Sequence, residues 1–233
     1  MQAVILAAGQ GVRMRPLTHK IPKPMLRVKD KPLLAYSIEL LPPEVTEVIL
    51  VIGYLGQQIK DYFGDNYNGK KIIYVEQKKL LGTGQALSLC QKLLQDRFLV
   101  MMGDDFYCAD DVVRCLEQDR CIVAKEVTAE ELRNYGAFEL DQQGNLAGII
   151  EKELAPGEKC LVNIGMMVLD ENFFKYDLVP IKDGKEFGLP QTVVMMAKDY
   201  PVKIIKTDYW LPIGYPDDLK RTEYHLRKHG VIE

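Results

Sequence analysis

Residues 6–25 have the sequence LAAGQGVRMRPLTHKIPKPM, and this stretch decides the fold. It begins at the end of a short apolar run, Ala3–Leu6, which predicts a buried strand. The small residues that follow let backbone N–H groups approach an anion closely; they are Ala7, Ala8, Gly9 and Gly11. Prolines at positions 16, 22 and 24 prevent a long helix directly after the glycines. The stretch therefore predicts a strand that ends in an extended, anion-binding loop.

The charges of this loop favour a polyphosphate ligand. The loop has no Gly-Lys-Ser/Thr, which excludes a Walker A motif, and its prolines are incompatible with the helix of a dinucleotide fingerprint. It carries four cations, namely Arg13, Arg15, Lys20 and Lys23. Backbone donors at one end of the loop and cations at the other can wrap a chain of phosphates.

The first half of the chain alternates between apolar runs and segments of helical periodicity. The runs predict strands at Val48–Ile52, Ile72–Val75 and Phe98–Met102. The periodicity predicts helices at Leu33–Leu41, at Gln57–Phe63, and at Thr83–Leu94 with Thr83 as its N-cap. Such an alternation is typical of an α/β domain with a Rossmann-like, mixed and mostly parallel sheet and helices on both faces. Ligands bind at the carboxyl ends of these strands, which selects loops 7–24, 76–83 and 103–107.

The second half of the chain is richer in strand patterns. Strands are predicted at Tyr135–Leu140, Leu146–Ile150 and Leu161–Leu169, with a turn at Gln143–Gly144 between the first two. An amphipathic helix is predicted at Pro216–Lys228. We expect one α/β domain in which the mixed strands of the second half build another wall of the binding pocket.

Composition excludes several classes of protein. The formal net charge of −3 gives no reason to expect nucleic acid or an anionic membrane as a partner. The five cysteines show no metal-ligand spacing, so we expect reduced, structural thiols. The apolar run at the N-terminus is too short for a signal peptide or a membrane span, and we expect a cytoplasmic protein. Whether the chain forms a homo-oligomer is left open.

The motifs of the chain, taken in order, resemble those of a known family. After LAAGQGVR and Pro22-Lys23-Pro24 come Glu76-Gln77, Gly82-Thr83-Gly84, Gly103-Asp104, Tyr135-Gly136, Glu151-Lys152, Asn163-Ile164-Gly165, and Trp210 with Ile213-Gly214. This series is similar to that of the sugar-1-phosphate nucleotidyltransferases, also called nucleoside-diphosphate-sugar pyrophosphorylases. It resembles their uridylyl and thymidylyl branch most. The resemblance implies a nucleotide-binding part at about 1–108, a sugar-phosphate-binding part at about 109–215 and a C-terminal helix at about 216–229.

The resemblance also implies a reaction. An oxygen of the sugar phosphate attacks the α-phosphorus of UTP or dTTP, and pyrophosphate leaves. Because the second pKa of a phosphate monoester is about 6, the nucleophile is already ionised and needs no general base. Arg13 and Lys23 would meet the phosphates, and Asp104 would bind Mg²⁺, with Asp105 able to assist. The nucleotide would contact Leu6, Ala7, Ala8, Gly9, Gly11, Gln77, Gly82, Thr83 and Gly103.

Within that family, the amide of Gln77 matches the position that pairs with the base. Uracil and thymine present the same pairing edge, so UTP and dTTP stay open. The sugar-phosphate side would be lined by Tyr135, Gly136, Glu151, Lys152, Asn163 and Gly165. The acceptor expected from the resemblance is glucose 1-phosphate or N-acetylglucosamine 1-phosphate.

The sequence departs from the family at one chemically important position. The family has a metal-binding aspartate two residues after the tryptophan, whereas this chain has Pro212 there. Asp208 is a carboxylate near that position that could reach the metal by another route. Pro212 therefore leaves open a non-catalytic regulatory protein that binds a nucleotide or NDP-sugar. A cytidylyltransferase acting on a small phosphorylated alcohol or sugar also stays open, because that branch shares the N-terminal loop. No hexapeptide repeats are present, so we expect no left-handed β-helix and no acetyltransferase activity.

Overall fold

The computed structural model describes residues 1–128, 136–150, 155 and 158–228. The strands, in chain order, are β1 (Gln2–Ala7), β2 (Arg27–Val28), β3 (Lys31–Pro32), β4 (Glu47–Ile52), β5 (Asn66–Tyr67), β6 (Lys70–Glu76), β7 (Arg97–Met102), β8 (Phe106–Tyr107), β9 (Cys121–Thr128), β10 (Ala137–Leu140), β11 (Leu146–Ile150), β12 (Lys159–Asp170), β13 (Val179–Ile181), β14 (Glu186–Gly188), β15 (Lys203–Thr207) and β16 (Trp210–Leu211). The helices are α1 (Leu33–Glu39), α2 (Gly56–Phe63), α3 (Thr83–Ser88), α4 (Ala109–Leu116), α5 (Leu189–Ala197) and α6 (Pro216–Lys228).

Four parallel strands form the centre of the sheet, in the order β7, β1, β4 and β6. Their carboxyl ends are level, because Leu6 pairs with Met102 and Ala7 pairs with Ile52, which in turn pairs with Glu76. The side chains of residues 3–7 are all nearly inaccessible to solvent. Strands β1, β4 and β7 are buried on both faces and are continuous apolar runs, which is why the sequence pattern predicted them correctly. Strand β6 is only partly buried, and the pattern predicted it from the apolar run Ile72–Val75.

The second half of the chain extends the same sheet with mostly antiparallel pairs. The long strand β12 pairs with β7 on one edge and with β9 and β10 elsewhere along its length, while β15 lies parallel to β9. The predicted turn at Gln143–Gly144 is confirmed, since it joins the antiparallel strands β10 and β11. The mixed sheet predicted from the sequence is therefore confirmed, and the parallel pairs concentrate in its first half.

Helices cover both faces of this sheet. The side chains of β1 alternate between two apolar cores, with Ile5 in one and Val4 in the other. The first core also contains residues of α1, α2 and α4, and the second contains residues of α3 and α5. The buried residues of α6 join a smaller cluster with Met14 of the N-terminal loop and Phe106 of β8. The C-terminal helix thus packs close to the N-terminal loop that contains Met14.

Two helices end earlier than predicted, α1 at Glu39 and, by a larger margin, α3. Helix α3 ends at Ser88, whereas the periodicity predicted a helix to Leu94. The Ser88 hydroxyl donates to the Gln85 carbonyl at 2.8 Å, and the backbone then continues in turns closed by bonds such as Leu93 N to Cys90 O. Thr83 is also not the N-cap, because Gly82 precedes the first turn and the Thr83 hydroxyl is bound elsewhere. The predicted cap was wrong because the Thr83 hydroxyl instead accepts a hydrogen bond from the Leu189 backbone N–H.

Two further features concern the cysteines and the apolar character of the helices. All five cysteines are free, as predicted, and Cys90, Cys115 and Cys121 are buried in the apolar cores. Among residues 1–128, 136–150, 155 and 158–228, no helix has the length and apolar character required to cross a bilayer.

Candidate active site

Two adjacent cavities open at the level carboxyl ends of the parallel strands. The smaller one, of about 260 Å³, is lined by residues of the N-terminal loop together with Asp104 and Gly214. The larger one, of about 650 Å³, is lined by the start of the same loop, by residues 77–86 and by Asp104. Leu6, Gly9, Val12 and Asp104 line both. The three loops selected from the sequence therefore converge on one cleft, with Asp104 at the junction of its two parts.

The N-terminal loop folds back on itself at Gly11. Gly11 has φ +59°, and a Cβ atom there would lie 2.9 Å from Cβ of Lys23 and 3.1 Å from Cγ2 of Thr18. The hydroxyl of Thr18 donates to the Gly11 carbonyl at 2.8 Å. A residue with a side chain would be strained at this positive φ angle and would collide with Lys23 and Thr18. Glycine at position 11 therefore lets Lys23 pack against the start of the loop. By contrast, a Cβ at Gly9 would meet nothing within 4 Å, and the exposed backbone there is accessible to a ligand.

The segment after β4 holds the loop in place. The Tyr54 hydroxyl donates to the carbonyls of Thr18 and His19 at 3.0 and 3.1 Å, and the Tyr54 N–H donates to the Ala8 carbonyl at 3.0 Å. Gln58 of α2 donates to the Lys20 carbonyl at 2.8 Å. Sequence reasoning missed these supporting residues, although Tyr54 follows a predicted strand and so had to lie at the ligand-binding edge of the sheet.

Two of the four loop cations line the cleft. The Lys23 Nζ atom lies 2.5 Å from Oδ2 of Asp104, and the exposed fractions of the two side chains are 11% and 28%. The Arg13 guanidinium lines the smaller cavity and lies 5.6 Å from the ring centre of Tyr215. Arg15 and Lys20 are exposed and line neither cavity. The structure thus brings together Arg13, Lys23 and Asp104, the three residues for which the resemblance implied a catalytic role.

Asp105 turns away from the cleft and joins two strands. Its carboxylate accepts a hydrogen bond from the Trp210 indole N–H at 3.2 Å and another from the Ile213 backbone N–H at 3.0 Å. Loss of hydration and the nearby Asp104 charge raise the pKa of Asp105 to about 7. Both carboxylate oxygens of Asp105 are therefore engaged, and they tie β16 and the residues after it to the segment that begins β8. The neighbouring carboxylate, Asp104, faces the cleft.

Pro212 lies between two residues that contact the segment after β7. Leu211 pairs with Phe106 in the antiparallel ladder of β16 and β8, and the Ile213 N–H donates to Asp105. Asp208 is exposed and lines neither cavity. Within the described ranges of the chain, no group of three or more His, Cys, Asp or Glu side chains is arranged to hold a metal ion.

The far end of the larger cavity is built around Gln77. The buried Gln77 amide donates to the Gly82 carbonyl at 3.0 Å and to Oε1 of Gln85 at 2.7 Å, which fixes the orientation of the amide. Gly82 has φ +91°, and a Cβ there would lie 2.5 Å from the carbonyl oxygen of Phe187. The Thr83 hydroxyl accepts a hydrogen bond from the Leu189 N–H at 3.2 Å. Gly82 and Thr83 therefore line the cleft and also dock β14 and α5 against it.

The sequence-predicted residues of the sugar-phosphate side are brought together only in part. The Asn163 side chain accepts a hydrogen bond from the Gly165 N–H at 2.9 Å, and Gly165 packs against Met102, which lines the larger cavity. Gly136 of the same side packs against Ile149, and Gly103, predicted for the nucleotide side, packs on Ile5, Ala7 and Leu34. Tyr135, Glu151 and Lys152 lie outside the described residues.

Comparison with known proteins places this geometry in a family. A model of the family described as nucleotidyl transferase matches residues 2–229. The chain belongs to the nucleotidyl transferase family. Over 231 residues it is 35% identical to the bifunctional protein GlmU of Methanocaldococcus jannaschii, a match that covers 98% of this chain and 55% of that protein. The chain therefore spans about half the length of its GlmU relatives.

Another relative of this nucleotidyl transferase matches along nearly its whole length. It is the UTP–glucose-1-phosphate uridylyltransferase AglF of Haloferax volcanii, 30% identical, with 98% of this chain and 97% of that protein covered. Among solved structures, a UDP-glucose pyrophosphorylase complexed with UDP-glucose has the same fold, with a TM-score of 0.81, 23% identity and 98% of both chains covered. HddC from Yersinia pseudotuberculosis is 26% identical with a TM-score of 0.72, and 97% of this chain and 99% of that chain are covered.

The first prediction concerns the two glycines at opposite ends of the cleft. Gly82→Ala should lower the free energy of unfolding by about 1–3 kcal/mol, because the new methyl group meets backbone atoms of Phe187 and the φ angle is unfavourable. Gly9→Ala is the matched control and should change it by less than about 0.5 kcal/mol, because its methyl group meets open space. Urea denaturation measures both. Equal losses in the two variants would contradict this account of the cleft.

The second prediction concerns the pH dependence of stability. The folded-state pKa of Asp105 is raised to about 7, so the folded protein retains a proton that the unfolded chain releases above about pH 4. This group therefore makes the free energy of unfolding fall as the pH rises toward 7, and its contribution is constant above that. Asp105→Asn should remove this component. Urea denaturation in EDTA at several pH values between about 5 and 8 tests it, and identical slopes for both proteins would refute the assignment.

Proposed function

We propose that this chain transfers a nucleoside monophosphate from UTP or dTTP to a sugar 1-phosphate and releases pyrophosphate. The observation that carries the proposal is the Lys23–Asp104 pair at the junction of two cavities, one bordered by an accessible glycine backbone and the other by an oriented amide. We assign the nucleotide to residues of about 1–108 and the sugar phosphate to residues of about 109–215. Uridylyl transfer to glucose 1-phosphate by the AglF relative supports this reaction class.

The chemistry needs positioned charges more than a proton-transfer group. A phosphate oxygen of the sugar 1-phosphate forms a bond to the α-phosphorus of the triphosphate, and the bond to the β-phosphate oxygen breaks with its electrons on pyrophosphate. Because the attacking phosphate is largely ionised at neutral pH, no base must remove a proton. The residues lining the two cavities include no histidine and no cysteine, which agrees with this requirement.

The cations of the cleft serve the phosphates. Lys23 is held against Asp104 and lines the smaller cavity, so its ammonium group is positioned before a ligand arrives. Arg13 lines the same cavity with a more exposed side chain, and its planar guanidinium suits two oxygens of the departing pyrophosphate. The backbone around Gly9 supplies uncharged donors at the other end of the phosphate chain.

The donor set of the site fits Mg²⁺ held mainly by its substrates. Mg²⁺ accepts one or two carboxylates and completes its octahedron with waters and phosphate oxygens. Asp104 would supply the carboxylate, while Asp105 is engaged by Trp210 and Ile213. When bound, the ion would neutralise charge on the phosphates.

The base end of the cleft suits a pyrimidine with the uracil edge. Gln77 is the buried amide there, and Gln85 and the Gly82 carbonyl hold it in one orientation. Both N–H groups of this amide are engaged in that way, so its oxygen is left to accept the N3–H that uracil and thymine share. For the acceptor we propose glucose 1-phosphate or N-acetylglucosamine 1-phosphate.

The decisive experiment is an assay of pyrophosphate release with Mg²⁺. UTP, dTTP, CTP, GTP and ATP are each offered with glucose 1-phosphate and with N-acetylglucosamine 1-phosphate. We expect turnover with UTP or dTTP and one of the two sugars. Preference for CTP would favour a cytidylyltransferase. Tight nucleotide binding without turnover would favour a regulatory binding protein, the alternative that the proline at position 212 motivates.

The third prediction separates the two arginines of the N-terminal loop. Arg13→Ala should lower kcat by about 10²–10³-fold, as expected when a donor to developing negative charge is lost. Arg15→Ala is the matched control, since Arg15 is exposed and lines neither cavity, and its kcat should stay close to the original value. Steady-state kinetics of the folded variants measures this. An unchanged rate in Arg13→Ala would contradict the role given to this residue.

The fourth prediction concerns position 212, where the resemblance implies a metal-binding aspartate. Pro212→Asp should lower the Mg²⁺ concentration needed for the half-maximal rate by about 10-fold, because it adds an oxygen donor next to Ile213, whose N–H binds Asp105. Pro212→Ala removes the ring without adding a ligand and should leave the Mg²⁺ requirement unchanged. The measurement is a Mg²⁺ titration of the initial rate, after thermal denaturation has shown that both variants fold. The same titration curve for both variants would show that position 212 lies too far from the metal.

A further inference from the structure

The antiparallel hairpin formed by β13 and β14 builds one wall of the larger cavity. Ile181, Lys182 and Glu186 of this hairpin line the cavity. The hairpin is anchored to the floor of the cleft, because the Phe187 N–H donates to the Leu81 carbonyl at 2.8 Å. A methyl group built on Gly82 would lie 3.1 Å from Cβ of Glu186. Glu186 therefore stands directly beside the group that holds the Gln77 amide.

The carboxylate of Glu186 forms an ion pair with Lys182 of the same hairpin. Nζ of Lys182 lies 2.8 Å from this carboxylate, and the exposed fractions of the two side chains are 65% and 32%. An unpaired carboxylate would repel the triphosphate that the cavity is proposed to receive. Pairing with Lys182 reduces that repulsion and leaves the remaining lone pairs of the carboxylate available to hydrogen-bond donors.

The substrates offer few partners to such a group. An ionised carboxylate only accepts hydrogen bonds, and the ionised phosphates of both substrates are themselves acceptors. The donors that remain are the N–H group of the base, already assigned to Gln77, the acetamido N–H of N-acetylglucosamine, and the hydroxyl groups of the sugar rings. Two vicinal hydroxyls match the two oxygens of a carboxylate, as in the acidic side chain that binds a ribose in dinucleotide-binding folds.

We propose that Glu186 is a specificity-determining residue that binds vicinal hydroxyl groups on a sugar ring of the substrates. This inference rests on the proposed function and deepens it. The hydroxyls belong either to the ribose of the triphosphate or to the ring of the sugar 1-phosphate. Both have the same chemistry, and the two sources are separated by measuring each substrate in turn.

The test compares Glu186→Ala and Glu186→Gln with Asp183→Asn. Asp183 is exposed on the same hairpin and does not line the cavity, so it is a matched control for loss of one negative charge. KM and kcat are measured for UTP, dTTP and the sugar 1-phosphate, and thermal denaturation verifies that each variant folds. We expect Glu186→Ala to raise one KM by about 10–100-fold, the effect of losing a hydrogen bond to a charged group, with a smaller rise in Glu186→Gln.

The pattern of the changes identifies the sugar. A rise confined to the nucleotides indicates the ribose, and a rise for UTP without one for dTTP indicates its 2′-hydroxyl. A rise confined to the sugar 1-phosphate indicates the acceptor. If Glu186→Ala changes every KM as little as Asp183→Asn does, the inference is wrong.

Failure of the proposed function is distinguishable from failure of this inference. If the unmodified protein shows no turnover, titration calorimetry with UTP, dTTP and each sugar 1-phosphate gives the dissociation constants directly. Weaker binding of one ligand to Glu186→Ala would then support the role of Glu186 while the transfer reaction itself is refuted. Equal affinities of the unmodified protein and Glu186→Ala would overturn the inference in that case too.

Discussion

The level register of the four central parallel strands is the constraint on which the rest of the structure depends. β7, β1 and β4 are buried on both faces, so a shift of any one of them by one residue would move its side chains from one apolar core to the other. With the register fixed, the loops after β1, β6 and β7 emerge at the same edge. Residues from three distant parts of the chain therefore share one cleft, and Lys23 meets Asp104 across 81 positions of sequence.

Much of this arrangement could be predicted from the sequence, because the relevant signals are local. Strands buried on both faces appear as uninterrupted apolar runs, and polar residues directly after them must lie at the ligand-binding edge. This rule selected the loops that contain Gln77 and Asp104, which lie one and two residues after β6 and β7, while the resemblance to the family singled out the two residues themselves. The loop prolines excluded a long helix, and the structure has only short 3₁₀ turns at Val12–Met14, Leu17–His19 and Lys23–Met25.

What the sequence did not reveal depends on contacts between distant segments. The Thr83 hydroxyl was expected to cap its own helix, but it binds the Leu189 N–H, 106 positions away. Asp105 was expected to assist at a metal, but its oxygens are taken by Trp210 and Ile213 more than 100 positions later. The local pattern of apolar and polar residues contains no information about hydrogen bonds between segments this far apart in the chain. The hairpin of β13 and β14 was missed for the same reason, since only its docking on Gly82 brings Glu186 to the cleft.

The ion pair between Lys23 and Asp104 has a consequence for the order in which charges accumulate. In the protein alone, the Asp104 carboxylate is already neutralised by the Lys23 ammonium group 2.5 Å away. A divalent cation without a nucleotide would have to displace this ammonium group or approach against its charge. Under the proposed function, a triphosphate would reverse that balance by bringing several negative charges next to the pair. The nucleotide would then create the affinity of the cleft for a cation, and metal and nucleotide would bind as a preformed complex.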